Sequence, residues 1–266
     1  MARTLDQLKE ISESIIRRAA YEIWIKKGMI HGGDMDDWLE AEGDEAVMME
    51  ITMNIAHDSL FYKLYKAKKN QSFTSSAFGE IIVDVIENFL CEVQLGNMVK
   101  SLEVSLEDVN EKERILRIQN IILRASVETF FWMMYIKHSE SRGTEQTRID
   151  EYRGNFCDQY NKIHSDISAQ PFVSALAGSG GIGSISTSFA FPNKLDVRSM
   201  LDHVKNDFGN KISYIYPIYR LASLSVHGID IMSLKKFFFK SGGAFPYVKW
   251  DKVVQVISSE YFHMLP

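Results

Sequence analysis

The chain is poor in the residues that punctuate β structure and in those that build cross-links. Of 266 residues only 5 are proline, and Asn-Gly and Asp-Gly pairs are scarce, which argues against a strand-rich fold with its tight hairpin turns. The two cysteines, Cys91 and Cys157, form no C-x-x-C and no metal spacing. They read as buried free thiols of a protein kept in a reducing compartment. No two histidines stand four apart and no H-E-x-x-H occurs, so nothing resembles the helical zinc-protease pattern. There is no G-x-S-x-G either, which removes the nucleophile elbow of serine hydrolases. No cofactor motif and no metal site are therefore expected.

Positive charge is also short. The formal net charge is -5, so the molecule has no global field for nucleic acid, although a local basic patch remains open. No apolar run approaches the ~20 residues of a membrane span. The start, MARTLDQLKEISES, lacks the apolar centre of a secretory signal. These features predict a soluble cytoplasmic protein without membrane attachment.

What is present is helical. Hydrophobic residues make up 45% and aromatics 12% of the chain, enough for a sizeable core. Thr4-Leu5-Asp6-Gln7 has the capping-box pattern, and predicts a helix to about Lys27, closed by Gly28. After the HGGD turn, Asp34 can cap a short second helix. Tyr21, Trp24 and Trp38 would staple the two into a hairpin. Asp34 to Glu50 holds eight carboxylates and no Lys or Arg, which reads as a solvated acidic face. Lys63, Lys66, Lys68 and Lys69 follow and would compensate it. A helix through Met48–Lys66 offers Ile51, Ile55, Leu60 and Leu64 to the core. Ser76 can cap the clearest amphipathic helix, in which Phe78, Ile81, Ile82, Val85, Ile86, Phe89, Leu90 and Val93 keep the three-four repeat. Ser105-x-x-Asp108 is a second capping box, opening a long helix to about His138. Thr144 can cap the next, with Ile149, Tyr152, Phe156, Tyr160 and Ile163 on one face and His164 near its end. Residues 168 to 193 carry GSGGIGS but lack a preceding strand or a following GK[ST], so they read as a long Gly/Ser-rich loop and not a phosphate loop. Helices at Val197–Asp207 and Trp250–Met264 complete an all-α, multi-helix bundle. Its expected division is an N-terminal helical hairpin at 1–45 and a main helical domain at 46–266.

The chemistry concentrates between Tyr214 and Gly228. Tyr216, Arg220, Ser223 and His227 follow at steps of four, three and four, so a helix stacks them on one face, opposite Ile215, Ile218, Ala222 and Val226. An arginine and a histidine on an apolar helix need partners or a task. On the long central helix, Arg124 and Glu128 stand four apart within IQNIILRASVETFFWMMYI. They form either a buried ion pair that fixes helix register or a pair that orients the Arg220–His227 stripe.

Two resemblances follow from these residues. Residues 17 to 42 resemble a small bacterial helical domain of unknown function, through Arg18, Ala20, Tyr21, Trp24, Gly28, Asp34, Trp38, Ala41 and Glu42. No activity is implied by it. Leu123, Arg124 and Glu128 of an L-R-x3-E motif, Tyr152 in EYR, and Tyr219, Ser223 and His227 in a Y-x2-L-S-x3-H pattern resemble an all-helical bacterial family of unknown function. In addition, Arg220 and His227 fit the R-x(4–6)-H signature of the HEPN superfamily, with Leu221 departing from the usual polar residue after the arginine. That resemblance implies a dimeric, RNA-binding, metal-independent ribonuclease of an antiviral or toxin system. Arg220 would hold the scissile phosphate and His227 would move the proton of the 2′-hydroxyl or of the leaving oxygen, the two meeting across a dimer axis. Tyr216, Ser223, Tyr152, Arg124 and Glu128 would support them. The competing expectation is a non-catalytic helical module that binds a protein partner. In it Arg124, Glu128, Arg220 and His227 form an enclosed network, and the N-terminal hairpin and Phe237–Phe239 are contact surfaces.

Overall fold

A computed structural model describes residues 5–104, 109–139, 142–169, 195–204, 211–226 and 250–266. Among the described residues the protein is all-α, a multi-helix fold. Its helices are α1 (Leu5–Lys26), α2 (Asp34–Gly43), α3 (Glu45–Lys69), α4 (Gln71–Thr74), α5 (Ala77–Val104), α6 (Val109–His138), α7 (Glu145–Ala169), α8 (Val197–His203), α9 (Lys211–Val226) and α10 (Trp250–Met264). Two compact units emerge, one within Met1–Val127 and Pro217–Pro266, the other within Glu128–Tyr216. The Ser105 capping box, His227, Phe237–Phe239 and residues 170–193 of the expected Gly/Ser-rich loop lie outside the described residues, while 168 and 169, the expected opening of that loop, still belong to α7.

In the first unit α1 ends as its sequence dictates. Gly28 takes φ +83, Met29 donates to Trp24 O at 3.0 Å and Gly28 to Ile25 O at 3.0 Å. That pair of bonds is the Schellman closure, which needs a left-handed residue that glycine adopts at no steric cost. Asp34 does not cap α2. Gly33 holds the N-cap position without a side-chain bond, and Asp34 sits inside the first turn, where its charge meets the positive end of the helix dipole. Ile15 and Ile16 of α1, Ala41 of α2 and Ile51 of α3 form a small separate core, with Ile23 and Trp38 packed on it. Tyr21 is exposed, its ring 5.5 Å from that of Trp24.

The acidic stretch is less solvated than its composition suggests. Asp37 is 4% exposed and accepts from Lys27 Nζ at 2.7 Å, while Glu40 meets the same ammonium at 2.8 Å. Glu50 pairs with Arg18 at 2.7 Å. Two of the lysines expected to balance this stretch turn elsewhere. Lys63 donates to Phe262 O of α10 at 2.8 Å, and Lys68 pairs with Glu87 at 2.5 Å.

Leu60, Leu64 and Ala67 of α3 are buried, whereas Ile55 is 43% exposed. Helix α10 packs along α3 and buries Val253, Val254, Ile257 and Tyr261. On α5 the expected stripe is buried, with Val83 added to it and Ile81 only half-buried. Ser76 Oγ accepts from Gly79 N at 2.9 Å and caps the helix. Cys91 is exposed, against expectation, and Cys157 is buried; both are free thiols.

The second unit contains the C-terminal part of α6, α7 and α8. Phe130 to Ile136 are buried without interruption, as befits a helix covered on every side. Thr144 Oγ1 accepts from Thr147 N at 3.2 Å at the start of α7. Ile149 is buried, but Phe156 and Ile163 of the expected face are exposed. Helix α8 stops at His203, and Val204 pairs with Ser139 as an isolated antiparallel bridge.

Candidate functional site

The polar residues of α9 sort themselves around Arg124. Its Nε donates to Ser223 Oγ at 3.2 Å and its Nη2 to Tyr219 Oη at 3.5 Å, with the guanidinium 5.4 Å from the centre of the Tyr219 ring. Ser223 Oγ in turn donates to Tyr219 O, one turn back, at 2.7 Å. Tyr219 and Ser223 are four apart and so share a face. Together they present two hydroxyl acceptors and an aromatic face to a planar cation, a combination that suits arginine better than lysine. Ala222, standing where the motif has leucine, is fully buried beside them.

Arg220 lies a further step around α9 and is exposed. Arg124 therefore meets the Tyr219–Ser223 edge of the stripe, about 100° from the Arg220 direction on a helix of 3.6 residues per turn. Tyr216 lies in the second unit, with the Arg198 guanidinium 5.6 Å from its ring centre. Tyr152, also in the second unit, packs its ring 5.5 Å from that of Trp132. Glu128 is half-buried one turn beyond Arg124 along α6. Among the described residues no group of three or more His, Cys, Asp or Glu could hold a metal ion.

Two polar clusters were not anticipated. On α5, Glu92 accepts from Ser126 Oγ of α6 at 2.5 Å, and burial pushes its carboxyl above the usual range, with the Ser126 bond opposing the shift. In the second unit Glu151 accepts from the buried Tyr135 Oη at 2.5 Å and from Arg142 Nε at 3.1 Å. Burial, then the neighbouring carboxylate, raises the Tyr135 phenol. Arg148, 5% exposed, donates to Ile136 O at 2.8 Å, Arg142 O at 3.1 Å and Gly143 O at 2.9 Å. It closes the C-terminal end of α6, where carbonyls lack helical donors. The signal for Glu92 was present as a carboxylate between Phe89 and Val93 in an otherwise apolar stripe. Arg148 carried no such signal, because its acceptors are backbone carbonyls.

The fold and site define an all-helical protein with an arginine anchored between two helices. A family model described as "Protein of unknown function (DUF2934)" matches residues 11–43. That stretch spans α1 from Ile11 through α2, so the N-terminal segment is similar to a domain-of-unknown-function family, as its motif suggested. No curated protein and no solved structure matches the chain.

Proposed function

We propose that this chain is a HEPN-like RNA-binding protein with metal-independent endoribonuclease chemistry at Arg220 and His227, acting in the cytoplasm as a homodimer in antiviral defence or a toxin system. The observation that carries the reading is the placement of Arg220. It is exposed on a helix whose opposite face, Ile215 and Ala222, is buried and which Arg124 holds through Tyr219 and Ser223. A phosphate-binding arginine needs that combination of an accessible fork and a fixed backbone. Arg220 would bind the two non-bridging oxygens of the scissile phosphate. His227 would take the proton of the 2′-hydroxyl as its oxygen bonds to phosphorus and return it to the departing 5′-oxygen, leaving a 2′,3′-cyclic phosphate and a 5′-hydroxyl. Ser223 is engaged by Arg124 and Tyr219, so Arg124, Ser223 and Tyr219 act as positioning residues. Residues 1–45 would form a hairpin appendage on a main domain of 46–266.

The test is cleavage of end-labelled RNA in EDTA. Product with a cyclic phosphate end is expected, and Arg220→Ala should lower the rate by about 10³-fold, in the range of lost charge-stabilising donors, at an unchanged melting temperature. Purified protein that neither binds nor cleaves RNA would sink the reading.

A second reading, a non-catalytic module for a protein partner, draws on the exposed apolar side chains of the hairpin, among them Tyr21, Ile25, Met29 and Ile30. Exposed apolar clusters mark interaction surfaces. Here His227→Ala should lower the melting temperature, and no RNA should bind.

A further inference from the structure

We propose that the outward face of α3 from Tyr62 to Lys69 is a contact surface for single-stranded RNA, separate from Arg220. It rests on the reading that RNA is the ligand. At about 100° per residue, Tyr62, Tyr65, Lys66 and Lys69 occupy one arc of the helix. Leu60, Leu64 and Ala67 occupy the opposite arc and are buried. Tyr62 is 46% and Tyr65 51% exposed. Lys66 Nζ stands 4.4 Å from the Tyr62 ring centre and Lys69 Nζ 4.2 Å from that of Tyr65. The face is thus two tyrosine–lysine pairs in the same i, i+4 register, about 4.5 Å apart along the axis.

Lysines near a helix C-terminus complement its dipole, and that alone would explain a basic last turn. It does not explain two half-exposed tyrosines beneath them. The neighbouring lysines have structural tasks: Lys63 lies over the Phe262 ring at 4.3 Å, and Lys68 is paired with Glu87. Among the described residues neither Lys66 nor Lys69 meets a carboxylate. Asp58 lies in the same arc one turn before Tyr62, paired with His57 at 3.7 Å and largely covered, and it ends the face. Exposed rings stack on unpaired bases of any sequence, and ammonium groups beside them neutralise the phosphates between those bases. Double-stranded RNA keeps its bases stacked and offers the rings nothing.

Fluorescence anisotropy with a labelled oligouridylate tests this on the full chain. Tyr62→Ala with Tyr65→Ala should weaken binding about tenfold or more, and Tyr62→Phe with Tyr65→Phe should restore it. Lys66→Gln with Lys69→Gln should reduce the log–log salt slope by about 1.4, at ~0.7 per phosphate contact on a single strand. All of these variants should keep the wild-type melting temperature, because the four side chains face away from the core. If binding falls with Arg220→Ala while the α3 variants bind like wild type, this surface is excluded and the ribonuclease reading stands. If the α3 variants lose binding while no RNA is cleaved, the surface stands and the catalytic reading falls. Absence of RNA binding by the wild type, or capture only by phosphatidylserine vesicles, overturns the surface.

Discussion

At the scale of single residues, the most informative side chain is Glu92. It is an acid on an otherwise apolar helix face, hydrogen-bonded to Ser126 and raised by burial above the ordinary carboxyl range. The consequence for stability has a definite sign. Below the unfolded pKa, about 4.3, both states hold the proton and Glu92 contributes nothing. As pH rises, the unfolded chain releases its proton first, so the folded state loses stability until Glu92 itself ionises. Glu92→Gln keeps an acceptor for Ser126 and removes the titration. The variant should match wild type near pH 4 and exceed it at pH 7 to 8 in urea unfolding. Curves that run parallel across that range would show that Glu92 is solvated in the native state. Arg124 teaches a different lesson at this scale. The sequence pairs it with Glu128 or turns it toward the Arg220–His227 stripe, but its partners depend on how α9 is rotated about its own axis. A helical wheel fixes which residues share a face and leaves the phase against a neighbouring helix undetermined. Arg124 accordingly meets Tyr219 and Ser223 of the motif, while Arg220 faces solvent.

At the scale of elements, close approach decides more than composition. Helix α10 reaches α5 at Gly96, where an added Cβ would lie 2.0 Å from the Trp250 ring. Trp250 is buried there and its indole N–H donates to Asn97 Oδ1 at 3.2 Å. Lys100, one turn further along α5, pairs with Asp251 at 2.7 Å. Gly96→Ala should improve helix propensity yet destabilise the protein by about 1–3 kcal/mol, the range for overpacking a filled core. A thermal melt checks this, and an unchanged or higher melting temperature would mean that the indole moves aside easily. Elements were the legible part of the chain. Continuous three-four periodicity located α5 and its cap at Ser76, and Gly28 located the end of α1. The failures share one cause. Ile55, Phe156 and Ile163 fit an apolar stripe but are exposed, because a stripe becomes core only where another element covers it. Asp37 is the reverse case, a carboxylate in an acidic run that is buried against Lys27.

At the scale of the molecule, stability should be uneven. The core shared by α3, α5 and α10 contains large side chains, including Phe89 and Tyr261 in edge contact at 5.3 Å. The hairpin core rests on Ile15, Ile16, Ala41 and Ile51, with partly buried neighbours. At roughly 25 cal/mol per Å² of buried apolar surface, four small or medium side chains hold α1 and α2 much less firmly than the longer core holds α5. The Lys27–Asp37–Glu40 cluster adds a polar clamp across the hairpin. Asp37 is the part of that clamp that would be stranded, buried and charged, if Lys27 were removed. Local opening of the matched family segment should therefore precede global unfolding. In native-state hydrogen exchange, the amides of Ile15 to Ile23 should exchange at lower urea than those of Val83 to Val93, and Lys27→Met should widen the gap by acting on the first group alone. Identical protection of both groups would mean that the hairpin and the main helices unfold as one cooperative body, and would remove the basis for treating residues 1–45 as an appendage.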